Sequence, residues 1–147
     1  NNGGSAAGII VDSDRESKIF HNTVINTDPR EAAFYGGHED HDTYWRYNIL
    51  ENGFNTNYAD RALNESDNIE PSPSERDSLF SAPEDGDLSL DQGSALIDQV
   101  PADEDVAYDF CGYPRGETSD LGAIEYSTVY DGTPCADLVM ELYDLIP

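Results

Sequence analysis

Residues 17–28 read SKIFHNTVINTD and residues 43–54 read TYWRYNILENGF. Laid over one another at a displacement of 26 residues, Asn22 falls on Asn48, Val24 on Leu50 and Asn26 on Asn52. Short β-rich units recurring every 20 to 30 residues or so mark a solenoid, in which each turn buries its apolar face only by stacking on the next. Asparagines brought into register by such stacking form a ladder of side-chain amide hydrogen bonds, which satisfies polar groups at turns that would otherwise face inward. Asn22 and Asn48 are therefore expected to be structural.

The pattern extends outward from these two segments. GIIVDSD, from Gly8, reads as a strand ahead of the first unit. Ile19, Val24 and Ile25, then Ile49 and Leu50, supply apolar pieces too short and too interrupted by Asn for helices. Between the units, residues 33–44 (AFYGGHEDHDTY) form a long polar excursion marked by Gly36-Gly37. From Asn52 to Ser94 the chain is dominated by Asn, Ser, Asp, Glu, Pro and Gly, and Pro71 and Pro73 exclude PSPSERD from a sheet interior. Leu79, Phe80, Leu88, Leu90, Leu96 and Ile97 punctuate it, which predicts an ordered irregular wrap rather than a linker. In TPCADLVMELYDLIP the residues Leu138, Val139, Leu142, Leu145 and Ile146 share one helical face, with Thr133 as N-cap and Pro134 at the first helical position. That face is expected to pack on the body of the chain, with docking on another chain as the alternative.

Composition narrows the class. The 147 residues hold 37% hydrophobic residues, one domain's worth of chain with a narrow core. Seven Lys and Arg face 31 Asp and Glu, for a formal net charge of −24, and Lys18 is the one lysine. No basic face is available for a polyphosphate, which excludes nucleic acid as a partner and disfavours an anionic membrane. Nine Tyr, five Phe and one Trp argue for a folded chain, and a folded chain of this charge suits high salt, where screening weakens self-repulsion. No apolar run is long enough for a transmembrane span and no signal peptide is visible, so a start at NNGGSAAG is expected of a mature or released piece of an extracellular protein. Cys111 and Cys135 are either two free thiols or one disulfide closing a loop of about 25 residues, worth about 3 kcal/mol in the chain-entropy model. An exported setting favours the bridge.

The order of pieces from Asn68-Ile69 through LFSAPEDGDLSL, GSALID and DFCGYPR to DLGAIEY resembles the closing region of secreted right-handed parallel β-helix proteins of the pectate-lyase-like group. The resemblance covers residues 67–126. It departs at Ala95, where the group carries Pro, at Gln99-Val100, and at Cys111, where Asp is common; the last favours a turn tied to Cys135 over a metal site at Asp109. The fold it implies is all-β, a right-handed parallel β-helix with an irregular wrap and a short C-terminal helix. Residues 1–66 would be rungs, 67–126 the closing region and 127–147 a tail with the amphipathic helix. An open solenoid end exposes unpaired backbone groups and apolar interior, so residues 109–126 are expected to add a last strand as cover, with Leu121, Ala123 and Ile124 facing inward. Arg115 is expected to fix that turn by paired hydrogen bonds to Asp98, Asp109 or Asp120.

The resemblance also implies a carbohydrate role, a lyase- or glycosidase-like protein with most catalytic residues on rungs outside this chain, or else a non-catalytic surface or adhesive β-helix. The densest reactive cluster is His38, Glu39, Asp40, His41 and Asp42. Two imidazoles and three carboxylates on one loop suit proton exchange, with His38, His41 and Glu39 as catalytic candidates, or a divalent ion such as Ca²⁺, with Asp40 and Asp42 as ligands. In so acidic a chain a solvated loop is the plain alternative. DSDRE at 12–16, EDGD at 84–87 and DED at 103–105 offer weaker oxygen clusters, and none has EF-hand spacing. Tyr44, Trp45 and Tyr47 could stack on sugar or pack in the core, and His21 is expected at a turn or beside the groove. Few rungs are recognisable, so the N-terminal open end is expected to stack on another chain or on an upstream part of the same protein.

Overall fold

Runs such as Ile9–Val11 and Thr23–Val24 are β-branched and only three and two residues long, so they form strands that need partners from elsewhere in the chain. The computed structural model describes residues 9–11, 17–25, 34–36, 43–55 and 64–127. They belong to two units, Asn1–Pro73 and Ser74–Pro147.

In the first unit, β1 (Ile9–Val11), β2 (Lys18–Phe20) and β3 (Thr23–Val24) make one coil. A second follows as β4 (Phe34–Gly36), β5 (Tyr44–Arg46) and β6 (Ile49–Leu50), then a third as β7 (Phe54–Asn55) and β8 (Asn64–Ser66), with Ile69 in place of a third strand. Pairing is parallel throughout, in the orders β1-β4-β7, β2-β5-β8 and β3-β6, and Ile49 bridges Ile69 in parallel. Thr23 is opposite Ile49, Val24 opposite Leu50, and Ile19 opposite Trp45.

Each coil turns at the same place. His21, Tyr47 and Asp67 have φ of 53°, 61° and 55°, the left-handed region that a non-glycine residue enters at a cost of about 1–2 kcal/mol. The next residue is asparagine every time, and these asparagines are joined. Asn22 donates through its backbone N and Nδ2 to Asn48 Oδ1 at 2.9 and 3.0 Å, and Asn48 donates in the same way to Asn68 Oδ1 at 3.0 and 2.8 Å. The second Nδ2 hydrogens reach back to strand carbonyls, Asn48 to Ile19 O at 2.8 Å and Asn68 to Trp45 O at 2.9 Å. Three strained corners are thus tied by side-chain amides. Trp45 and Leu50 are fully buried with Ile9, Ile19 and Val24 packed against them, and Ile49 is buried beside them in sequence. After β6, Asn52 and Gly53 are both left-handed, and at Gly53 the φ of 66° favours glycine.

In the second unit, α1 (Pro73–Leu79) leads into a hairpin of β9 (Phe80–Ala82) and β10 (Asp87–Leu90), joined by one 3₁₀ turn at Pro83–Asp85 and left-handed Gly86. β11 (Val100–Pro101) pairs antiparallel with β12 (Thr118–Ser119). Leu79, Phe80, Leu90, Leu96, Val100 and Leu121 are buried.

Two expectations change. Residues 52–94 are not an irregular wrap throughout, for they hold the end of the coil stack, a helix and a hairpin. Beyond residue 66, Asn68 bonds Asn48 and Ile69 bridges Ile49. No strand crosses Leu121–Ile124; the strand is Thr118–Ser119, and beyond it the amides of Asp120 and Glu125 are taken by carboxylates and that of Leu121 by the Leu96 carbonyl. The helix expected near the C-terminus lies outside the described residues. Among the described residues no helix is long and apolar enough to cross a membrane.

Candidate functional site

Side chains alternate along a strand, so residues that share a face of β2 and β5 follow from their parity. Ile19 and Trp45 face the core. Lys18, Phe20, Tyr44 and Arg46 share the other face, Lys18 beside Tyr44 and Phe20 beside Arg46 in register, and Ser66 on β8 continues the row past Arg46. Lys18 is exposed and the other three are half-buried. The Arg46 guanidinium carbon stands 5.9 Å from the Phe20 ring centroid and 5.4 Å from that of Tyr44. Both distances are within cation–π range. Its Nε is buried without a hydrogen-bond partner, and Arg46 has no carboxylate partner among the described residues. In a chain with 31 carboxylates, this cation is held by rings instead. The row therefore presents positive charge and aromatic surface on neighbouring strands about 5 Å apart.

This geometry corrects the aromatic candidates. Trp45 is 0% exposed and Tyr47 is buried, so neither offers a face to a sugar; Tyr44 keeps an accessible side. Tyr47 stacks instead on His21, ring centroids 5.0 Å apart at 45°, inside consecutive corners of the stack. Parity signalled this in the sequence, since Trp45 alternates with Tyr44 and Arg46 and aligns with Ile19. The cluster His38, Glu39, Asp40, His41 and Asp42 lies outside the described residues, as do residues 12–16. Asp103 and Asp87 accept backbone amides of their own turns, from Asp105 at 2.9 Å and Ser89 at 3.0 Å. Among the described residues no three His, Cys, Asp or Glu side chains converge on a metal position.

The second unit holds a buried charge cluster. Arg115, with its side chain 2% exposed, pairs with Glu125 and donates to the carbonyls of Asp120 at 3.2 Å and Gly122 at 2.9 Å. Asp109 Oδ1 accepts from the amides of Cys111 at 2.9 Å and Tyr113 at 2.7 Å, and its Oδ2 from Glu125 N at 2.9 Å. Asp120 accepts from the amides of Asp98 at 2.8 Å and of Tyr126, and Glu125 from Asp120 N at 2.9 Å. Asp98 accepts from the Thr118 hydroxyl at 2.6 Å. Arg115 thus takes Glu125, not one of the three expected aspartates: Asp109 and Asp120 accept backbone amides and Asp98 the Thr118 hydroxyl, while Glu125 reaches the guanidinium. Burial pushes the Arg115 guanidinium below its usual range against the pull of Glu125, Asp109 and Asp120. Burial likewise pushes the Glu125 carboxyl up, opposed by the Asp120 amide and by Arg115 and assisted by the charges of Asp120 and Asp109. The cluster braces backbone, since most of its bonds run to main-chain amides and carbonyls. Cys111 is disulfide-bonded, and the chain's other cysteine, Cys135, lies outside the described residues.

Comparison with protein-family models, curated proteins and solved structures finds no match for this chain.

Proposed function

We propose that the chain is part of an extracellular right-handed parallel β-helix protein that binds acidic polysaccharide along the outer face of β2, β5 and β8. The parallel stacks and the in-register asparagines support the fold, and crossovers between parallel strands are right-handed in nearly all proteins. The observation that carries the function is Arg46 suspended between Phe20 and Tyr44 with Lys18 alongside. A guanidinium forks onto a carboxylate, and an aromatic ring takes the C–H face of the sugar that bears it. Repulsion between a −24 protein and a polyanion is long-ranged, whereas these contacts are local, so binding should need salt or divalent cations to screen the former.

Cations and rings make a binding set without an acid–base pair, which favours holding the glycan over cutting it at this face. Affinity electrophoresis through gels carrying polygalacturonate or alginate tests the reading. Arg46→Ala should weaken retardation at least tenfold and Arg46→Lys should restore little of it, because an ammonium lacks the planar fork. Equal retardation of wild type and Arg46→Ala would dismiss the site. Release of reducing ends or unsaturated sugars from the same polymers would instead establish catalysis.

A further inference from the structure

Tyr108 and Phe110 are 63% and 64% exposed, the large hydrophobic side chains most open to solvent among the described residues. They flank Asp109, which is buried and spends both oxygens on the amides of Cys111, Tyr113 and Glu125. With Asp109 pointing inward, its neighbours point out together. Their backbone is fixed on every side. Tyr108 bridges Pro114 antiparallel, Asp109 N donates to Tyr113 O at 2.8 Å, Phe110 N to Ala123 O at 2.8 Å and Arg115 N to Ala107 O at 3.0 Å, and Cys111 is disulfide-bonded. Two rings on so rigid a turn are a pre-organised apolar platform, whose ordering cost falls on folding and not on binding.

We infer that Tyr108 and Phe110 form a second carbohydrate site, one that takes the apolar face of neutral pyranose rings. Size argues against a protein partner: the two rings expose on the order of 300 Å², well short of the roughly 800 Å² per side of a stable protein interface, and one or two sugar rings fit that area. Charge argues against an acidic ligand. The chain enters the platform through Asp103, Glu104 and Asp105, and the following cation, Arg115, is buried and committed to Glu125. C–H groups of a neutral sugar stack on an aromatic face without meeting that field, and the Tyr108 hydroxyl offers a hydrogen bond at the rim. The site does not depend on the strip at Arg46.

Affinity electrophoresis through hydroxyethylcellulose, mixed-linkage β-glucan and xyloglucan tests it with the full chain. Because both side chains are exposed, Tyr108→Ala/Phe110→Ala should keep the wild-type near-ultraviolet circular dichroism. Wild type should be retarded by at least one of these polymers, the double variant at least tenfold less, and Arg46→Ala as wild type. Polygalacturonate gels should show the reverse dependence, which separates failure of this site from failure of the strip. Wild type running freely through all three neutral polymers, or a folded double variant retarded as strongly as wild type, would overturn the inference.

Discussion

Arg115 shows how one residue in an acidic chain can be made indispensable. Its guanidinium closes on Glu125 and on two carbonyls of the segment 120–122, so its removal leaves a carboxylate buried beside Asp109 and Asp120 with no cation. Arg115→Ala should destabilise the second unit by about 3–5 kcal/mol, as for other buried pairs broken on one side, and Arg115→Lys should recover little of it. Denaturant unfolding followed by tyrosine fluorescence measures both; a loss near zero would mean the cluster is decorative. The pH dependence has a definite sign. Glu125 holds its proton to higher pH when folded than when unfolded, so the folded chain binds more protons between the two values, and this group's contribution falls as pH rises through that window. The margin of wild type over Glu125→Gln should therefore narrow as pH rises from the unfolded glutamate range through the raised folded one, in paired denaturation midpoints. A margin that widens would reverse the assignment.

At the scale of the element, the corner is the unit that matters. A strand of two or three residues has little stability of its own, and the left-handed residue after it adds strain. The asparagine that follows offsets both by serving two coils. Asn48 is the middle rung: it accepts from Asn22 twice and donates to Asn68 and to the Ile19 carbonyl. At about 1 kcal/mol per net bond and more for groups left buried and unpaired, Asn48→Ala should cost about 3 kcal/mol, and Asn22→Ala at the end of the ladder distinctly less. Equal losses from the two, read in denaturant midpoints, would argue against a shared ladder. This element was legible where the spacing repeated. Asn22 and Asn48 align because their coils are 26 residues apart, but Asn68 follows at 20, so a fixed displacement loses it. What persists across a change of loop length is local: His21-Asn22, Tyr47-Asn48 and Asp67-Asn68 each put a left-handed residue before the amide. Helix α1 also had its signal, Ser72 and Pro73 with Glu75 in the pattern of a helix start, obscured by reading the prolines as sheet breakers alone. The choice of Glu125 over aspartate was not legible, since it turns on which carboxylates the backbone has already occupied. The strip was legible only at Tyr44; Phe20 and Arg46 carried no signal of their own until parallel pairing set them side by side on one face.

For the whole molecule, a net charge of −24 over 147 residues opposes compaction at every separation shorter than the screening length. That length falls from about 10 Å at 0.1 M salt to about 3 Å at 1 M, so apparent thermal midpoints should rise by roughly 5–8 °C over that range, a gain of about 2 kcal/mol. A midpoint that falls or stays level in sodium chloride would show that surface repulsion is not what limits this fold. All of it presupposes coils stacked with their corners in register, and that can be observed bond by bond. Scalar couplings across hydrogen bonds in an isotopically labelled sample should link the Asn22 amide nitrogen to the side-chain carbonyl carbon of Asn48, and that of Asn48 to Asn68, with slow exchange of the Asn48 side-chain amide. Absent couplings together with solvent-rate exchange of that amide would contradict the stack.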